Sequence, residues 1–300
     1  MTSESVPLRR LKWCEEALSR LAVSVPNGGR LHRMRSYLLR SENEPESLLQ
    51  ARQRTLTAEA ARFAFELMVI LMAASDSAPE TTAFCRDKLA LVLGGGDDAF
   101  VGNPLARNTQ FELFGPALLK IAGFDIRAGR ADADWHLSDE VLTLEAKRVN
   151  SSSFDAISKR IREAASKIRG QASSGLIQVV QSRGLILLNV DVQLADISHH
   201  PRDEELNSLM QTRLQPMMGA IDRVSNNYAV LGLLVFGHTR CWQNLDSPPV
   251  PHLIVSYPTA FISMLGQDPG EVSMSARLNR AMLTVQAKVI AISHSVPSWD

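Results

Sequence analysis

The sequence predicts an α/β protein, an all-helical N-terminal region followed by a mixed central sheet flanked by helices. Three observations carry this. Leu8, Leu11, Leu18 and Leu21 recur at helical spacing, and residues 58–74 are apolar nearly all round, as in a central core helix. A Gly-Gly-Gly-Asp-Asp run at 94–98 then interrupts the pattern, because glycine stops a helix and loosens the chain. Beyond it, helix and strand patterns alternate. The expected division is a helical domain over 1–98 and an α/β domain over 99–300.

At 300 residues, the chain can bury roughly 75% of its unfolded surface, so it needs no disulfide or metal staple. With 45% hydrophobic and 21% charged residues it has a globular composition. Thirty-two basic residues balance 32 acidic ones, which excludes a globally basic coat but not a local basic patch. The three cysteines, Cys14, Cys85 and Cys241, are too scattered for a disulfide framework or a metal clamp. The N-terminus has no apolar signal core, and the most apolar stretch, 63–74, is shorter than a bilayer span. The expectation is a cytoplasmic protein that does not enter membranes.

Element by element, the first helix surrounds Leu8–Leu21, and Ser41 and Thr57 are expected N-caps of later helices. Another helix follows Pro79 and ends before Gly94. Residues 108–122 read as a helix with a kink at Gly115–Pro116. Strands are expected from 123–126, at 133–137 and at 141–147, the last two joined by a turn at 138–140. Three serines, 151–153, cap a helix over about 154–169. A buried strand at 184–193, a helix at 203–225, strands at 228–236 and 252–257, and a helix near 274–291 complete the chain.

The residues that carry chemistry fall between 107 and 171. Glu145-Ala146-Lys147 is the only [Asp/Glu]-x-Lys in the chain, and it ends an apolar strand. Residues two apart on a strand share a face, so Glu145 and Lys147 point the same way. If the preceding turn centres on 139 and 140, Asp134 faces Glu145; if it centres on 138 and 139, Asp132 does. In both registers two carboxylates meet, and their repulsion is relieved by a hard divalent cation. The next helix has an apolar stripe of Ile157, Ile161, Ala164, Ala165 and Ile168, with Lys159, Arg160, Arg162, Lys167 and Arg169 around it. From 147 to 170 the chain holds seven basic and two acidic residues, a local net of +5. Such a patch suits a phosphate backbone. Arg107, before the helix of Glu112, is a further candidate phosphate contact.

This constellation resembles the PD-(D/E)xK phosphodiesterase superfamily, the restriction-endonuclease-like fold of many nucleases, over roughly residues 107–193. The resemblance implies that Glu112 is the helical acidic residue, Asp134 the metal aspartate, and Glu145 and Lys147 the ExK pair. All four would be catalytic, with Glu112, Asp134 and Glu145 holding Mg²⁺ or Mn²⁺. Asp134 is favoured over Asp132 because alternating apolar residues follow it. The implied activity is metal-dependent hydrolysis of DNA phosphodiesters, with RNA a further possible substrate, a homodimer a possible assembly, and restriction or defence against foreign DNA a possible role. The alternative is a catalytically silent nuclease fold that binds nucleic acid or a protein. The sequence departs from the pattern at Ala133, where proline is usual, and at Gly115–Pro116 within the helix of Glu112. The histidines at 199 and 200 lack metal-ligand spacing, and Ser151–Ser153 lack a nucleophile elbow.

Overall fold

The computed structural model describes residues 4–43, 51–96, 104–128, 135–137, 142–151, 153–173, 183–194, 230–239 and 252–256, with single positions at 212, 215, 276, 280 and 296. Four helices come first: α1 (Val6–Arg20), α2 (Arg30–Asn43), α3 (Ala51–Ser75) and α4 (Pro79–Gly94). They are followed by α5 (Leu105–Ile121), β1 (Ile126–Ala128), β2 (Trp135–Leu137), β3 (Leu142–Arg148), α6 (Phe154–Ser173), β4 (Arg183–Asn189), α7 (Asp191–Leu194), β5 (Val230–Thr239) and β6 (His252–Ser256). The protein is thus mixed α/β with a helix-rich N-terminus.

The strands form one mixed sheet in the order β1 to β6. β1, β2 and β3 form an antiparallel meander, β3, β4 and β5 run parallel, and β6 returns antiparallel to β5. Residues 184–190 are all buried, which matches the unbroken apolar reading of a central parallel strand. The expected strand over 184–193 is shorter than its apolar run, because Asp191 opens the one-turn helix α7 and Asn189 Oδ1 accepts its backbone N–H.

Several helix ends follow from local chemistry. α6 begins where Ser153 Oγ accepts the Ala156 N–H at 3.2 Å, the cap expected of the serine cluster. α5 ends in a Schellman turn: Gly123, at φ +101°, donates to Lys120 O, and Phe124 donates to Leu119 O. That turn aims the chain directly into β1. The two other expected caps lie elsewhere. Ser41 sits within α2, where its hydroxyl donates to Leu38 O, and Thr57 is buried inside α3, because the preceding residues from Ala51 onward are already helical.

α3 is the centre of the helical layer, and every residue from 57 to 71 is buried. One hydrophobic cluster joins α1–α5 to Leu144, Ala146, Leu185, Leu187, Leu234 and Phe236 of the sheet. Strand register divides the sheet into two faces. Leu187 and Leu234 are paired and face α5, where Gly115 lies close over Leu187 and the Phe111 ring meets Phe236 edge-on at 5.6 Å. A Cβ at Gly115 would stand only 3.0 Å from the Leu187 side chain, so glycine there lets α5 lie near the sheet. The opposite face carries Glu145, Lys147, Ile186, Leu188, Leu233 and Val235. α6 covers it with the stripe of Ile157, Ile161, Ala164, Ala165 and Ile168, all buried.

Gly184 on β4 provides the room for this contact, since a Cβ there would come within 2.8–2.9 Å of three side-chain carbons of Ile168. Gly184→Val is therefore expected to lower unfolding stability by about 1–3 kcal/mol through overpacking under α6, measured as a shifted urea midpoint with unchanged slope.

Candidate active site

Glu145 is 4% exposed, yet it lies on a strand whose neighbours are aliphatic. A carboxylate in that position costs several kcal/mol unless matched by positive charge. Two ammonium groups match it. Lys147, two residues along β3 on the same face, places its Nζ 2.6 Å from Oε1. Lys167, reaching down from α6, places its Nζ 3.1 Å from Oε2. The Lys147 and Lys167 side chains are 25% and 40% exposed, so the cluster sits at the margin of the α6–β3 seam.

The β2–β3 ladder pairs Trp135 with Leu144, His136 with Thr143 and Leu137 with Leu142. Of the two registers expected from the sequence, these pairs match the one written for central residues 139 and 140. Asp132, Asp134 and the turn itself lie outside the described residues, as do His199 and His200. Among the described residues, no group of three or more His, Cys, Asp or Glu side chains is placed to hold a metal ion. Glu145 is the one described carboxylate of this cluster, and a lysine ammonium lies against each of its oxygens.

Glu112 is placed differently from its expected role. It lies on α5, the helix that packs on the other face of the sheet, and its Oε2 pairs with Lys88 Nζ of α4 at 3.3 Å. Its side chain is 40% exposed. The structure does not bring it together with Glu145 and Lys147. Arg107, expected to touch phosphate, is buried and donates to Glu59 of α3. Along α6, Lys159 and Arg162 are exposed, Arg160 pairs with Glu163 at 2.7 Å, and Lys167 is engaged by Glu145. The side chain of Arg169 lies outside the described residues.

A second charged cluster, not anticipated, is buried on the face opposite Glu145. Arg62 of α3 pairs with Glu59 at 2.9 Å, approaches Glu66 at 3.6 Å and donates to Asp191 of α7. Arg30 of α2 donates to Gln110 Oε1 at 2.7 Å, and Gln110 in turn donates to Glu66. The Arg30 guanidinium also stacks over Phe63 at 4.5 Å. Four helices are thereby tied together at the ends of β3 and β4. Burial works against the Arg62 charge, but Glu59, Asp191 and Glu66 outweigh it and hold its pKa above the ordinary value. Arg148, at the end of β3 on this face, is lowered by burial, with Arg62 adding to the effect. Arg10, on α1 over the Phe65 ring of α3, is lowered by burial to about 10. A sequence signal for the cluster exists in Glu59, Arg62 and Glu66, three charges inside an apolar helix at positions i, i+3 and i+7.

No protein-family model matches the chain, and comparisons with curated proteins and with solved structures give no match. Among the described residues, no helix is long and apolar enough to cross a membrane.

Two outcomes follow from this geometry. Arg62→Met leaves three buried carboxylates without their central cation and is expected to cost about 3–5 kcal/mol of stability, read from chemical denaturation beside the exposed control Lys159→Met. Burial raises the Cys14 thiol well above its ordinary pKa and pushes Cys85 up to about 12. Both should therefore resist a thiol-reactive reagent at pH 8 until the protein is unfolded, and prompt labelling of either in the native state would contradict their placement.

Proposed function

We propose that the protein is a metal-dependent nuclease that hydrolyses DNA phosphodiester bonds with a site built on β3, in a restriction-endonuclease-like sheet. The observation that carries this reading is the Glu145–Lys147 pair. The two side chains share one face of a buried strand, with their charged groups 2.6 Å apart, beneath a helix rich in basic residues. A mixed sheet with helices on both faces supports it. So does the β2–β3 register, which favours Asp134 over Asp132 as the carboxylate facing Glu145.

In this reading Glu145 and Asp134 hold Mg²⁺ or Mn²⁺. The bound ion supplies Lewis acidity at the scissile phosphate and a water of lowered pKa. Lys147, fixed beside Glu145, orients the attacking water and offsets charge building on the phosphoryl oxygens. Lys159 and Arg162, exposed on α6, hold the DNA backbone through salt-sensitive contacts. Glu112 lies on the other face and takes no part in these steps.

A second reading is a silent module that binds nucleic acid without cutting it. It is favoured by the two lysines that already neutralise Glu145. Incubation of the purified full chain with plasmid DNA and Mn²⁺ decides between them. The nuclease reading expects cleavage that falls about 10²–10³-fold in Lys147→Ala and Glu145→Gln. Equal cutting by both variants would remove this site from consideration. DNA retention that weakens as salt rises, with no product at any metal concentration, would establish the silent module instead.

A further inference from the structure

The ends of the parallel strands β3 and β4 carry positive charge that the network around Arg62 leaves unmatched. Among the described residues, that network holds four buried guanidinium groups, Arg30, Arg62, Arg107 and Arg148, against three buried carboxylates, Glu59, Glu66 and Asp191. Arg62 engages all three carboxylates, and Arg107 adds a contact to Glu59. Arg148, 5% exposed at the end of β3, turns instead to Asn150, donating from Nη1 to Oδ1 at 3.0 Å. Its Nη2 is buried and meets no acceptor among the described residues. A buried donor left unmade costs about 1–3 kcal/mol, and more on a charged group. Burial holds the Arg148 pKa below its ordinary value, although Asp191, Glu59 and Glu66 act on it from nearby.

The other half of the site is the start of α5. The Asn150 amide lies 3.5 Å from Asn108 Oδ1, in the first turn of that 17-residue helix. The N-cap position is Pro104, which offers no side-chain hydrogen bond, and the first turn holds no acidic residue. The partial positive charge of the helix N-terminus is thus not met by a carboxylate of its own helix. Arg148 reaches toward this helix end through Asn150. Leu105 and Asn150 are both exposed, so the place is open to solvent.

We propose that Arg148, Asn150 and the first turn of α5 around Asn108 bind a phosphate group, which takes the place of Asn150 Oδ1 on the guanidinium. Two phosphate oxygens then lie against Nη1 and Nη2 in the paired geometry that arginine favours. The positive end of α5 adds to the attraction. Asn150 turns its carbonyl aside and is left with its amide N–H groups toward the ligand. The proposal does not rest on the metal-dependent reading, because Arg148 lies on the face of β3 opposite Glu145 and Lys147. The phosphate belongs either to the free ion or to the end of a nucleic-acid strand, and its chemistry at Arg148 is the same.

Titration calorimetry of the full chain with inorganic phosphate, in EDTA and at fixed ionic strength, tests this. The wild type should bind a single phosphate. Arg148→Lys keeps the charge but loses the paired donors, and it should bind about tenfold more weakly. Asn108→Asp puts a carboxylate at the site and should weaken binding by about as much. It should not lower the stability of the phosphate-free protein, because an acidic side chain suits the start of a helix. Lys12→Met, which removes an exposed charge from α1, should bind within about twofold of the wild type. Should Arg148→Lys fold poorly by circular dichroism, Asn108→Asp decides alone. No saturable heat in the wild type, or equal affinity in the wild type and both site variants, would overturn the proposal. A loss in Lys12→Met as large as in Arg148→Lys would also overturn it, because binding would then answer to overall charge. A single-stranded oligonucleotide with and without a 5′ phosphate separates the two sources. Preference for the phosphorylated strand, lost in Asn108→Asp, assigns the site to a strand end; binding of inorganic phosphate without that preference assigns it to the free ion. EDTA removes cleavage from the measurement, so a negative result here leaves the nuclease reading standing.

Discussion

A carboxylate buried between a sheet and a helix has to be matched by positive charge, and Glu145 imposes that constraint on its surroundings. It sits beside Ile186 in the parallel ladder, on a face where Leu188, Leu233 and Val235 are aliphatic and Lys147 is its strand neighbour. Its strand neighbour Lys147 and the α6 residue Lys167 provide the compensation. α6 presents its Ile157–Ile168 stripe to the sheet and brings the Lys167 ammonium to Glu145 of β3. Gly184, by admitting Ile168, permits both. Packing and electrostatics therefore converge on one seam. A purely apolar residue at 145 would pack there at lower cost.

The other face of the sheet solves a similar problem with a larger network. Arg62 gathers Glu59, Glu66 and Asp191, while Arg107, Gln110 and Arg30 extend the chain of contacts into α5 and α2. This network joins the helical layer to the ends of β3 and β4, and the hydrophobic cluster beneath it is continuous from α1 to Phe236. The helices that precede the sheet are thus packed against the scaffold that holds Glu145 and Lys147.

Much of the fold was legible because its signals are local. The three serines before α6, the alternation in β3, the uninterrupted apolar run of β4 and the glycines after α4 each act within a few residues. Local signals also misled where a neighbour overrode them. Thr57 stands before an apolar run as a cap would, but the polar residues ahead of it continue the same helix, so its hydroxyl is buried mid-helix. Asp191 ends β4 early, although the aliphatic residues around it read as one strand. The pairing of Glu145 with Lys147 follows from the two-residue period of a strand and was visible directly. The third member of the cluster was not, because Lys167 meets Glu145 only once α6 has folded back over the sheet. The contacts that carry the Arg62 network from one element to another span 44 to 129 positions of sequence. Spacing along the chain does not report such contacts, so Arg107 reads in sequence as a phosphate contact, whereas in the fold it donates to Glu59. Glu112 is the corresponding case on α5: helical periodicity places it on a surface, but only the packing of α5 decides which side of the sheet that surface belongs to.

The central claim is that the buried carboxylate of β3 is a metal ligand in a hydrolytic site. The most direct measurement is anomalous diffraction from crystals of the full chain grown with Mn²⁺. The nuclease reading predicts a manganese peak in direct coordination of Glu145, with Lys147 still alongside. A manganese-saturated crystal with no peak at Glu145, and with both lysines still closed on its two oxygens, would contradict it.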